Sequence, residues 1–405
     1  MAKSKTIIPI GPYHPLQEEP EFFKLHVEGE RVVELEIELG YNHRGIEKLA
    51  EELSYDQVPF LVERICGICS SSHPFAGVMA TEDVAGVEIP ERAKYIRTFI
   101  GELERIHSHL LWLGLAGHFL GYNTVWMWAW KFREPVLDLF ELMTGNRNHY
   151  GMMKPGGVRR DFADEDLDQV VKVLDSLVKP IMMFRDVALA DPVIQARTKG
   201  VGVLSKQDCI DLGALGPTAR ASGVAIDVRK DHPYAAYGKV DFNIITTEAG
   251  DIFDKLVVRV LEMLESVGIC KQCCRALATV KDGIDVNLTD IPPGEGIGTH
   301  EAPRGEVIHY TRSDGSNRPV RYKIRAPSYM NVPTNKRAVV GYTVSDATIT
   351  LAAIDPCYCC TERTVVYEAG TGKALATGKD LVALSREKTR RLMEKYPSRM
   401  DKIWI

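Results

Sequence analysis

No stretch of this 405-residue chain approaches the roughly 18 consecutive apolar residues that a bilayer-spanning helix needs. The most apolar run, Leu110 to Trp130, is interrupted by His118, Asn123 and several glycines. The opening MAKSKTIIPIG is charged but lacks the apolar core of a secretory leader, so no signal peptide is expected. Neither sign of charge dominates. The formal net charge is −5, which gives no reason to expect a nucleic-acid partner. Internal repeats and low-complexity linkers are missing as well. The length is large for one simple core, so one large unit or two intimately packed lobes is expected. Cysteine is sparse, at nine residues. Without an export signal, those nine speak for a reducing compartment and metal ligation, not a disulfide framework. Hydrophobic content of 45% and charged content of 26% are ordinary for a soluble globular chain.

Against that plain background two Cys-x-x-Cys pairs stand at opposite ends of the chain. They are Cys66 and Cys69 in ERICGICSSSH, and Cys357 and Cys360 in AAIDPCYCCTER. Four thiolates drawn from such distant segments form a soft, closed ligand set that suits a transition metal and not calcium or magnesium. A structural zinc site is the first alternative, but zinc pairs usually lie roughly 12–20 residues apart in one compact knuckle. A thioredoxin-type redox disulfide is the second, and that motif occurs singly, between a strand and a helix. Cys270-Lys-Gln-Cys273-Cys274 is a further pair, but four well-spaced cysteines are missing there, so no iron–sulfur cluster is expected in this chain. Buried positions on a helix face are expected for those cysteines.

The periodicities predict a mainly helical core with small peripheral β-sheets, an α+β fold. Arg31 to Leu39 alternates apolar and charged residues and predicts a half-buried strand, paired with Phe22 to Val27 across Glu28-Gly29-Glu30. Helices are predicted over Ile46–Leu53, Glu91–Leu120, Trp128–Met143, Asp164–Lys179, Gln207–Leu212 and Ala249–Ser266. Asp164 is a candidate N-cap, and Pro180 is expected to kink or restart its helix towards Leu189. Glu102, Arg105 and His109 recur at helical steps. Glu306–Arg312 and Pro319–Ala326 predict a hairpin around Ser313-Asp314-Gly315-Ser316.

The strings around the cysteines carry a family resemblance. ERICGICSSSH and DPCYCCTER resemble the paired nickel-ligand motifs of nickel–iron hydrogenase large subunits. GPYHPLQEEPE, GYNHRGIEKLAE, ERIHSHLLWLG, GNRNHYGMMKPGGVRRD, GPTARASGVAIDVRKDHPYAAY and EAPRGEVIHY resemble the energy-converting, membrane-associated branch, related to the catalytic subunit of respiratory complex I. The resemblance runs from about residue 7 to about residue 363 of the sequence. It implies a large-subunit domain over 1–363, with a β element at 7–45, a helical core at 46–300 and a β and metal-ligand segment at 301–363, then an extension over 364–405.

The resemblance also implies the site. Nickel takes Cys66, Cys69, Cys357 and Cys360, and Cys69 and Cys360 bridge to an iron that carries cyanide and carbon monoxide. Cys359 stands where serine is the commoner choice, and its side chain is expected to point away from the metal. Arg304 lies over the open side of the centre, with Asp355 as its partner, or else as a turn cap. Pro303 and Ser328 are expected beside the diatomic ligands, and His73 is expected to donate to a cysteine sulfur. Glu19 falls where the family places a proton-gate carboxylate, with Glu18 as the competing register. Glu47 resembles a carboxylate that holds a distal magnesium or iron in some relatives. Arg363 replaces the histidine used there, which puts that metal in doubt.

Some relatives lose an extension after the second pair to a protease. Here Thr364 to Ile405 is expected to be retained, as a short hairpin and an amphipathic helix over Ala383–Glu394. The branch couples hydrogen oxidation or proton reduction to ion movement. Implied partners are a small iron–sulfur hydrogenase subunit, ferredoxin-like subunits, integral membrane subunits and soluble ferredoxin, with this chain on the cytoplasmic face of the membrane. A formate- or carbon-monoxide-linked complex is the alternative. A repurposed quinone- or sulfur-reducing relative is another, although those have lost some or all of the four cysteines. The N-terminal sheet and the mixed-charge stretch Asp227, Arg229, Lys230 and Asp231 are expected to face the partner subunits, the stretch otherwise being a solvated loop.

Overall fold

The computed structural model describes residues 5–15, 17–361, 365–368 and 370–395. Arg363, the stand-in for a histidine, lies outside the described residues.

Strands β1 (Lys5–Ile10), β2 (Phe22–Glu28) and β3 (Arg31–Glu38) form an antiparallel sheet in sequence order. Alternation along β2 buries Phe23, Leu25 and Val27, as a period of two requires. β1 was not predicted. Its first residues are largely exposed, so it lacks the alternating signal of its neighbours.

Helices α1 (Ile46–Ala50) and α2 (Val58–Glu63) lead to the first cysteine pair, and α3 (Ser72–Ala85) leaves it. The central element is α4 (Glu91–Phe119), nearly all of whose 29 residues are buried. α5 (Asn123–Thr144) begins before its predicted start and ends at Gly145, which has a left-handed φ of 83°. Two short paired strands follow, β4 (Met153–Lys154) and β5 (Gly157–Val158). α6 (Leu167–Ala190) runs unbroken through Pro180. Its buried stripe of Leu167, Val170, Leu174, Leu177, Ile181, Phe184 and Ala188 holds it in place despite the lost N–H. Asp164 caps nothing. It accepts from Arg92 and Lys281 instead.

Four short helices come next: α7 (Pro192–Thr198), α8 (Lys206–Leu212), α9 (Gly216–Arg220) and α10 (Val228–Asp231). α11 (Ile252–Leu277) starts at the Asp251 cap, which accepts from Asp254 N–H at 2.8 Å. It runs past the expected Ser266 and packs beside α4. Cys270, Cys273 and Cys274 are buried on it, and Cys270 Sγ donates to the Phe99 carbonyl on α4 at 3.7 Å.

The second sheet joins β6 (Gly294–Ala302), β7 (Gly305–Ser313) and β8 (Arg321–Arg325). The predicted hairpin is β7–β8. β6 was missed because its glycines carry no apolar pattern. Those glycines let α3 lie directly on the strand: a Cβ at Gly298 would fall 2.0 Å from the Ala76 carbonyl oxygen. α12 (Pro327–Asn331), α13 (Asn335–Ala338) and α14 (Val344–Ala353) lead to the second cysteine pair. α14 opens with a capping box between Thr343 and Asp346 and packs under the first sheet with Tyr358. The tail holds the hairpin β9 (Val365–Tyr367) and β10 (Ala374–Thr377), then α15 (Gly378–Lys395). The whole is a helical core with small antiparallel sheets. Among the described residues no helix is long and apolar enough to cross a membrane.

One expectation is corrected. Asp227 and Arg229 are no solvated or partner-facing pair. Both are buried, and Arg229 joins Arg105 as a counter-charge to Glu102 on α4 in the core. Arg229 donates to Glu102 at 3.0 Å and to Asp227 at 2.6 Å. Arg105, Tyr237 and Ser266 also donate to Glu102. The neighbouring Arg220 spans Glu262 and Glu301, both at 2.8 Å.

Candidate metal centre

The first cysteine pair sits in the turn between α2 and α3. Glu104 of α4 fixes that turn by accepting from Ser71 N–H at 2.8 Å, from Ser72 N–H at 3.0 Å and from both serine hydroxyls. These are first-turn donors of α3, which have no partner within the helix. The second pair follows α14 through a sharp reversal at Asp355, whose φ of +57° is left-handed in a residue that is not glycine. That conformation is costly and persists only where its surroundings enforce it. Arg304 supplies the constraint, with Nε donating to the Asp355 carbonyl at 2.7 Å and Nη2 to its carboxylate at 2.6 Å.

The result is convergence. The sulfurs of Cys66, Cys69, Cys357 and Cys360 all lie within 4.8 Å of one another, and all four residues are buried. Cys69 and Cys360 are 3.6 Å apart, and Cys357 and Cys360 are 2.8 Å apart. Four thiolates around one ion at about 2.3 Å would have edges of about 3.8 Å, so the set is sized for a metal. Hydrogen bonds, that from Cys357 foremost, hold the Cys66 thiol well below its usual range, while burial pushes Cys360 well up. A soft cation would take all four as thiolates.

Beside the sulfurs lies a small buried cavity lined by Cys69, Ser72, His73, Ala302, Arg304, Val307, Pro327, Ser328, Cys357 and Cys360. It offers one apolar wall and a few polar groups. Ser328 Oγ accepts from Cys357 N–H at 3.0 Å, which leaves its own proton to donate. Arg304 Nη1 donates to Ser108 at 3.1 Å. Three of the five guanidinium N–H groups are then committed, and one remains on each Nη. A second metal with small polar ligands fits this donor set. Pro303 is buried but is not one of the lining residues, whereas its neighbours Ala302 and Arg304 are.

His73 lies 3.3 Å from Cys360 Sγ through Nε2. Glu19 Oε1 lies 3.8 Å from Cys357 Sγ, and Glu19 Oε2 accepts from Cys359 N–H at 2.6 Å. Burial, reinforced by charge on Cys66, pushes the Glu19 carboxyl up to about 7. Glu18 is half-buried and lines a separate narrow cavity with Gln17, Phe119, Pro356 and Tyr358. Burial and then Asp355 push it to about 8. Cys359 stands outside the four-sulfur group and contributes its N–H to Glu19.

Glu47 is the exception to this gathering. Its carboxylate accepts from Lys323 Nζ at 2.5 Å and from Ile324 N–H at 3.1 Å. An ammonium group stands against it where a divalent cation would have to bind, so the residues present do not fit a magnesium or iron there.

Sequence reasoning missed Glu104, Ser108, His309 and Tyr322. Glu104 and Ser108 had a signal, since they lie four residues apart on the predicted helix, one turn from each other. Tyr322 had none, as its role depends on packing between sheet and helix.

Comparisons with known proteins find relatives along most of the chain. Residues 120–290 and 281–363 match the family described as the 49 Kd subunit of respiratory-chain NADH dehydrogenase, and residues 44–115 match nickel-dependent hydrogenase. The membrane-bound hydrogenase subunit alpha of Pyrococcus furiosus is 41% identical over 400 residues, covering 95% of this chain and 93% of that one. The carbon monoxide-induced hydrogenase of Rhodospirillum rubrum is 40% identical over 364 residues, covering 89% and 100%. A solved structure of the membrane-bound sulfane sulfur reductase, an archaeal respiratory membrane complex, superposes with a TM-score of 0.84 at 33% identity, covering 90% of this chain and 100% of that one.

Proposed function

We propose a function for a chain that belongs to the family uniting nickel-dependent hydrogenases with the 49 kDa subunit of respiratory complex I: it is the catalytic large subunit of an energy-converting, membrane-bound nickel–iron hydrogenase. It interconverts H2 with protons and electrons. The electrons pass through a separate small iron–sulfur subunit and ferredoxin-like subunits to ferredoxin. Integral membrane subunits couple that flow to ion translocation, with this chain docked on their cytoplasmic face. The observation that carries the proposal is the convergence of Cys66, Cys69, Cys357 and Cys360 beneath Arg304.

A nickel–iron centre bound there supplies the redox and Lewis-acid chemistry for heterolytic cleavage of H2. The chain's own groups do the rest. Arg304, pinned by Asp355 and Ser108, holds a fixed positive charge at the cavity, in a site too dry for water to screen it. Ser328 offers a hydroxyl donor to the same space. Glu19 takes up or returns a proton at the Cys357 sulfur, and a carboxyl near neutrality serves both directions.

The carbon monoxide-induced relative keeps a carbon-monoxide-linked complex as the second reading, and the sulfane sulfur reductase keeps a sulfur-reducing one. Metal analysis and gas measurement on the complex purified from its source decide among these. Nickel and iron in equal amounts, with ferredoxin-dependent H2 evolution, are expected. A complex containing neither metal, or one that reduces sulfur and exchanges no H2, overturns the proposal.

A further inference from the structure

Behind His73 a chain of buried hydrogen bonds continues away from the sulfurs. His73 Nδ1 lies 3.1 Å from His309 Nε2 on β7, and His309 Nδ1 lies 2.8 Å from Tyr322 Oη on β8. All three side chains are buried. His309 pairs with Ile324 across the ladder, and Tyr322 pairs with Thr311. The two rings are therefore diagonal neighbours on one face, within reach of each other. Helix α3 makes room for the chain. A Cβ at Gly77, one turn beyond His73, would lie 2.6 Å from Tyr322 Oη and 3.3 Å from His309 Nδ1.

The polarity of this chain follows from its ends. A metal-bound thiolate has no proton, so Cys360 can only accept, and a hydrogen bond to it needs the proton of His73 on Nε2. The Nδ1 of a neutral His73 then accepts, so His309 carries its proton on Nε2 and accepts at Nδ1. The last donor is the Tyr322 hydroxyl, which has no other hydrogen-bond partner among the described residues. Each imidazole has one donor and one acceptor, and each is set by the bond its other nitrogen makes.

We propose that Tyr322 is a positioning residue for the metal centre: through His309 it sets the tautomer of His73 and thereby the hydrogen bond on the Cys360 sulfur. A hydrogen bond to a ligand sulfur draws electron density from the metals, and partners beyond the ligands tune a site in this way. The inference rests on the nickel–iron reading of the four cysteines.

Infrared spectroscopy of the purified complex tests it, because the carbon monoxide and cyanide stretches report electron density at iron independently of turnover. In Tyr322→Phe the ring stays but the last donor is lost. His309 is then free to place its proton on Nδ1, and the bond to Cys360 weakens. The expected result is a shift of the carbon monoxide band to lower wavenumber, with nickel and iron content unchanged. His309→Leu shifts it the same way. His309→Gln, which keeps one acceptor and one donor, stays nearer the wild-type band. Wild-type band positions in Tyr322→Phe overturn the proposal. Should His309→Leu fail to assemble, Tyr322→Phe alone decides. Absence of such bands from the wild-type complex overturns the nickel–iron reading itself, which is a different failure.

Discussion

The backbone N–H of Cys359 donates to Glu19 Oε2 at 2.6 Å, and this bond turns Oε1 of the same carboxylate towards Cys357 Sγ, 3.8 Å away. The N-terminal segment and the last cysteine motif are thus tied at the carboxylate proposed as the proton gate. Glu19→Gln keeps the acceptor oxygen but cannot relay a proton. Fold and nickel content should persist, while H2 turnover and hydrogen/deuterium exchange collapse. Glu18→Gln should be close to wild type in exchange. The reverse outcome would move the gate to the neighbouring cavity.

Arg304→Lys retains charge and loses the fork that holds the Asp355 carbonyl and carboxylate together. Turnover should fall by about a hundredfold, as for removal of one preorganised donor, with the metals still incorporated. Hydrogen uptake at the wild-type rate would remove Arg304 from the mechanism.

Replacing any one of Cys66, Cys69, Cys357 or Cys360 by Ala opens the ligand set. Nickel content of the purified complex should drop together with H2 activity. Cys359→Ser, outside the set, should retain both.

The buried ion cluster should show in stability. Arg229→Met leaves Glu102 short of a counter-charge, a change worth about 3–5 kcal/mol for a broken buried pair. Burial by itself would raise the Glu102 carboxyl, but Arg105 and Arg229 hold it well below the usual range. Such a carboxylate contributes stability above its unfolded pKa, and that contribution is lost as pH falls towards the folded one. Urea unfolding should therefore find the gap between wild type and Arg229→Met widest near neutrality and narrowing in acid.

With Lys323 against Glu47, magnesium chelation should leave Tm unchanged. A marked fall in Tm on chelation, restored by magnesium, would reinstate a third metal.

The sequence alone carried the two cysteine pairs that converge, the family and the helical character of the core. These are legible because they are local: Cys-x-x-Cys spacing, the EAPRG and GPTARAS strings, and apolar periodicity over long windows. Glu91–Phe119 was readable as a helix. That this helix lies at the centre, with Glu104 bracing one cysteine turn and Ser108 holding Arg304, was not, since spacing puts the two on one face of the helix without saying what that face meets. The mixed-charge stretch at Asp227 and Arg229 shows the same limit. In sequence it looks like a solvated loop, and only the presence of Glu102 across the core makes it an interior ion cluster. Glu47 reversed in the other direction, because Lys323 reaches it from a strand far along the chain. Tertiary structure decided these cases because charge pairing and hydrogen-bond polarity depend on distances between segments, and composition and spacing do not encode those distances.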